Sequence, residues 1–189
     1  MTVPFLKPED IDQQAEVIRA QAYAAGVARE FPFDIESTVE FLFGYRINLA
    51  AKLPKGVLGE LNSEQHLISV SDAIRHDGQR RFTVAHEVGH LVLHLPLLLA
   101  RRSQPTLFEV EQLPYGDSRM EWQADAFAAA ILMPTAAIVN MVGALARAGG
   151  WIGPDLLVDT FGVSRQAAEV RLKSLGVLHA TSPGSPLGL

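Results

Sequence analysis

Residues 79–95 constrain this chain more than any other stretch. Phe82, Ala85, Val88, Leu91, Val92 and Leu95 recur at helical spacing around the polar His86, Glu87 and His90. Such spacing describes a half-buried helix that carries a polar stripe. Asp77-Gly78 breaks the chain ahead of it. Pro96 is expected to stop it, because the residue before a proline avoids helical geometry.

Residues four apart on a helix share one face, so His86 and His90 can aim at a single ion lying about 2.0 to 2.1 Å from each nitrogen. Glu87 is rotated by about 100° from His86 around the axis, which sets it beside the ion. There it can take a proton from water as a general base. The bland alternative is a core helix with two unrelated histidines and a surface glutamate. The amphipathic setting of the H-E-x-x-H pattern favours the metal site.

The chain has no cysteine, which excludes disulfides, thiolate zinc sites and cysteine nucleophiles together. A metal must then be held by histidine and carboxylate. These donors suit zinc, one ion per chain, although manganese or iron can enter similar sites. A catalytic zinc usually takes three protein ligands. His94 continues the four-residue spacing but stands about 12 Å along the axis from His86, too far for both to grip one ion. It is read as a polar support or packing residue. Glu121 is the better third ligand, since it opens a second helix with Asp125 one turn later on the same face. Asp125 would accept the N–H of a ligand histidine, His86 in the first place, and so fix its orientation. The competing reading of that pair is a solvated acidic face. Tyr115, His66 and His76 are the candidates for a further donor to the transition state. Gly89, between the two histidines, is expected to permit close approach of a neighbouring strand or helix.

Around this helix the chain reads as α+β. Residues 11–25 and 31–44 have helical spacing, closed by Gly26 and Gly44. Residues 45–50, 56–61 and 66–71 alternate with period two and suggest a small antiparallel sheet packed on the active-site helix. The strand near 66–71 could offer its edge to an extended peptide. Residues 96–117 look like a long connection. Ser118 could cap a helix over 119–133 that stops at Pro134, and Thr135 could cap the next, ending at Gly149-Gly150. Pro154, Gly162, Ser164 and Gly176 then punctuate a helix-turn-helix outline.

The expected organisation is a metallopeptidase-like domain over 1–148, a helical hairpin over 149–180 packed on or appended to it, and a disordered Ser/Pro/Gly-rich tail over 181–189. The formal charge of -5 gives no global attraction to nucleic acid or anionic membrane. DNA binding through 155–178 is weighed on Arg165, Arg171 and Lys173. The apolar Val163, Ala167, Val170, Leu172, Leu175 and Val177 favour a packing hairpin or partner-docking module instead. No basic stretch leads into an apolar run at the N-terminus, and the apolar runs are short, so no membrane span and a cytoplasmic location are expected.

Two blocks, 81–94 around His86-Glu87-Val88-Gly89-His90 and 121–134 from Glu121-Trp122-Gln123-Ala124-Asp125 to Met133-Pro134, resemble the ImmA/IrrE metallopeptidases. The likeness runs from about Ile35 to about Leu178. It implies a zincin-like minimal peptidase fold with a glutamate as third ligand, here Glu121. It further implies a protein substrate, a helix-turn-helix repressor, in a stress, mobile-element or toxin-antitoxin setting. The alternative is a non-catalytic toxin-antitoxin or DNA-binding component that retains a metal site.

Overall fold

The computed structural model describes residues 3–28, 30–102 and 118–177. Helix α1 (Pro8–Ala24) starts with Pro8 in its first turn, followed by Glu9 and Asp10, which suit the positive end of the helix dipole. Its apolar stripe, Ile11, Ala15, Ile18 and Ala22, is buried in the common core. Arg19 on the same helix is also buried and donates to the Ile131 carbonyl at 2.9 Å. The second helix is shorter than expected. Asp34 caps α2 (Ile35–Thr38) by accepting from the Ser37 amide, and a π-helical turn (Val39–Phe43) follows, closed by Gly44 in the left-handed region.

Strands β1 (Arg46–Ala51), β2 (Gly59–Asn62) and β3 (Leu67–Ser71) form one sheet in the order β1-β3-β2. β2 runs antiparallel to β3 but β1 runs parallel to it, so the sheet is mixed and not the antiparallel one expected. Alternating burial reports which face a residue takes and is blind to strand direction. The segment 52–58 carries the chain past the place β3 will fill, and the tight turn after β2 then inserts β3 between its neighbours. β3 is therefore central and has no free edge for a peptide, contrary to expectation. The edge that lies against the helix over 77–89 belongs to β2.

Helix α3 (Asp77–Gly89) is capped by His76, whose Nδ1 accepts from the Gly78 amide at 3.1 Å. It does not stop at Pro96. A π-helical turn (His90–His94) closes with the Leu95 amide bonding back to the His90 carbonyl, and α4 (Leu95–Arg102) continues from there. Pro96 thus falls in the first turn of a new helical segment, where a missing N–H costs least. The expected connection over 96–117 accordingly begins as helix, and its remainder, with Tyr115, lies outside the described residues, as does the tail over 181–189. The stretch Asp77–Ala100 is long and apolar enough to cross a bilayer, but over half of that apolar window is buried inside the protein.

Helix α5 (Ser118–Leu132) crosses α3, with Ala124, Phe127, Ala128 and Ile131 fully buried. The helices come close at Gly89, where a Cβ would meet Ala124 Cα at 2.9 Å. Helix α6 (Thr135–Arg147) has Pro134 at its cap position, and the Thr135 hydroxyl, expected to cap, bonds Asp12 of α1 instead. Helices α7 (Pro154–Phe161) and α8 (Arg165–Ser174) are joined by Gly162, in the left-handed region, and by Ser164, which caps α8 through the Ala167 amide. Their apolar residues Leu157, Phe161, Ala168 and Leu172 join the same buried cluster as Val84, Val88 and Phe127. Arg171 is turned inward onto Asp12, and Arg165 pairs with Asp155 and Glu169, so Lys173 is the one of the three cations left exposed without an ion pair among the described residues.

Candidate metal centre

The last turn of α3, the π-helical turn that follows it and the first turn of α5 bring His86, His90 and Glu121 together. His86 Nε2 lies 3.1 Å from His90 Nε2 and 3.3 Å from Glu121 Oε2, and His90 Nε2 lies 3.6 Å from Glu121 Oε1. Two ligand atoms each about 2.05 Å from a tetrahedral zinc are separated by about 3.3 Å. The observed spacings bracket that value, so these three residues could hold a metal ion. Their donor set of two imidazoles and a carboxylate leaves one tetrahedral position open, as a catalytic rather than a structural site does.

Asp125 Oδ1 lies 2.8 Å from His86 Nδ1, so the expected pair is in hydrogen-bond contact. Burial disfavours the His86 cation, but the hydrogen bond to Asp125 and the charges of Glu87, Asp125 and Glu121 outweigh it and raise the pKa above its usual value. Burial drives His90 the other way, to about 3, with the neighbouring His86 and His94 adding to the effect. His90 is thus neutral and its lone pair available across the physiological range.

Glu87 is almost wholly buried and lines the same cleft of about 1190 Å3 as the three cluster residues. Burial pushes its carboxyl up to about 7, against the pull of His86 and with help from Glu121 and Glu60. A carboxyl poised there can exchange a proton near neutral pH. Gly59 on the β2 edge stands directly over it, since a Cβ there would meet Glu87 Oε1 at 2.4 Å. The cleft continues over Trp122 and Ala126 to Val170 and Ser174 on α8.

The remaining expected residues fall at varied distances from the centre. His94 is buried behind His90, its Nδ1 3.1 Å from His90 Nδ1, and does not reach His86. His76 lines the cleft while capping α3. His66 sits in the β2–β3 turn against the Tyr45 ring and is not among the cleft residues. Sequence reasoning missed Gln123, fully buried beside His94, and Gly59. A polar residue between Glu121 and Asp125, on the buried side of α5, was the available signal for Gln123.

Residues 43–173 match the family model described as the IrrE N-terminal-like domain, a peptidase family. The chain belongs to that family. This IrrE-like chain also resembles a Mycobacterium tuberculosis transcriptional regulator of known structure, with a TM-score of 0.60 and 21% identity, over 87% of this chain and 47% of that one. It therefore spans about half the length of that relative, and the likeness establishes the fold. No curated protein matches the sequence.

Proposed function

We propose that this IrrE-like chain is a zinc-dependent endopeptidase that cleaves a regulatory protein, a helix-turn-helix transcriptional repressor or one related to it. The observation that carries this reading is Glu87, which a metal-holding role alone does not need. It is buried beside the three-residue cluster with its carboxyl raised to about 7, and it faces a cleft large enough for a polypeptide segment. When bound, zinc supplies a Lewis acid that polarises a peptide carbonyl and acidifies water. His86, His90 and Glu121 hold the centre, and Asp125 keeps the His86 ring in place. Glu87 takes the proton from the attacking water and returns it to the departing amine. The β2 edge beside Glu87 lies where an extended peptide can pair.

A second reading is a regulatory component that keeps the metal site without hydrolysis. It is favoured by the printed name of the solved relative, a transcriptional regulator, and by how much of that relative lies beyond this chain's span. The two readings separate on one experiment. Wild type and Glu87→Gln are loaded with zinc and incubated with the helix-turn-helix repressors encoded near the gene. Cleavage by wild type, lost by a factor of roughly 100 or more in the variant while zinc stays bound, supports the peptidase. Zinc binding and repressor or DNA binding without cleavage by wild type supports the second reading.

A further inference from the structure

We infer that His94, Gln123 and the backbone carbonyl of Pro4 form a hydrogen-bonded chain that commits His90 to the single tautomer able to bind a metal, so that the N-terminal segment is part of the metal centre. The inference rests on the metal-site reading above, and it follows from donor and acceptor chemistry taken one link at a time.

The Pro4 carbonyl can only accept, and it lies 2.9 Å from Gln123 Nε2. That contact fixes the amide, placing the acceptor Gln123 Oε1 2.9 Å from His94 Nε2. His94 must then carry a proton on Nε2, and on a singly protonated ring Nδ1 is an acceptor. His90 Nδ1, 3.1 Å away, is the donor to it. His90 Nε2 is thereby left bare, facing His86 Nε2 and Glu121. Asp125 binds the Nδ1–H of His86 from outside, so Nε2 of both rings faces the point where a cation would fit, and without the cation the His86 Nε2 proton can bridge to the lone pair of His90 Nε2.

Gln123 is fully buried and His94 almost so, which keeps water from substituting for any link. The anchor is itself held, because Arg119 at the start of α5 donates to the Val3 carbonyl at 2.8 Å. Residues 3 and 4 lie far ahead of 43–173, the part of the chain that the family model covers. His94 and Gln123 are positioning residues that act through His90.

The test is a long-range proton–nitrogen correlation spectrum of the full chain labelled in histidine, metal-free and zinc-loaded, at a pH where ordinary histidines are neutral. The metal-free wild type is expected to show His90 protonated on Nδ1 and His94 on Nε2. Gln123→Met is expected to release His94, mix the His90 tautomers and weaken zinc affinity by about ten- to a hundredfold with the helical circular dichroism intact. A His90 protonated on Nε2 in metal-free wild type overturns the chain, and so does a folded Gln123→Met variant with unchanged tautomers and affinity. If that variant fails to fold, the wild-type spectrum decides. Wild type that shows the expected tautomers but binds no zinc refutes the metal reading and leaves the chain of hydrogen bonds standing.

Discussion

At the scale of single residues, the buried Glu87 carboxyl gives a pH dependence whose sign can be worked out. Burial raises its folded pKa from 4.5 to about 7. Between those values the unfolded chain has lost the proton and the folded chain keeps it, so stability falls as pH rises through the window. Glu87→Gln removes that titration. The metal-free variant is expected to gain on metal-free wild type from about pH 4.5 to above 7, by on the order of 3 kcal/mol. Urea unfolding of both proteins at the two ends of the window checks this, and a difference that ignores pH counts against it. The cluster that could hold a metal was legible in two halves, because helical periodicity puts His86 and His90, or Glu121 and Asp125, on one face. Gln123 and Gly59 were not, because their importance arises from partners far away in sequence, Pro4 for one and Glu87 for the other.

At the scale of elements, the contact of α3 with α5 decides whether Glu121 reaches the histidines. Alanine in place of Gly89 gains about 1 kcal/mol of helix propensity. Its Cβ would meet Ala124 Cα at 2.9 Å and the Ala124 carbonyl oxygen at 3.1 Å, atoms of a backbone that cannot step aside. Overpacking of this kind costs about 1–3 kcal/mol, so the clash is expected to win. Gly89→Ala should lower the melting temperature and weaken zinc binding, because α5 carries Glu121 away as it moves. Gly143→Ala in α6 is the control, where the new Cβ finds only the flexible end of Arg147 at 3.5 Å and propensity should raise stability. Zinc competition and thermal unfolding on the pair check this, and equal effects would contradict it. Helix starts and stops were readable where a residue acts locally, as Gly44, Gly162 and Ser164 do. The continuation past Pro96 was not, because a π-helical turn shifts the hydrogen-bond register in a way no local signal announces. Strand direction was hidden for a related reason, since it is set by the path of 52–58 and not by the strands' own residues.

At the scale of the whole molecule, Arg171 joins three parts of the chain. Its Nε donates to the Met133 carbonyl at 3.1 Å, and its Nη2 reaches Asp12 at 3.2 Å and the Thr135 hydroxyl at 3.0 Å. The last helix is thus fastened to the first and to the corner between α5 and α6. Beneath this contact Leu157, Phe161 and Leu172 share the core that buries α3. On the other side the Gly78 backbone abuts Val163 and Ser164, where a Cβ would come within 2.6 Å. We propose on these grounds that the hairpin is an integral part of one folding unit and not an appendage. Removing one partner of a buried ion pair costs about 3–5 kcal/mol, and the partial exposure of Asp12 brings the expected cost of Arg171→Met to about 2–3 kcal/mol. If the unit is single, that loss is shared. Native-state hydrogen exchange should show amides of α5 and α8 losing protection together in the variant, within a single unfolding transition. Loss confined to α7 and α8, with α5 as protected as in wild type, would mean that the hairpin opens independently of the domain that carries the metal centre.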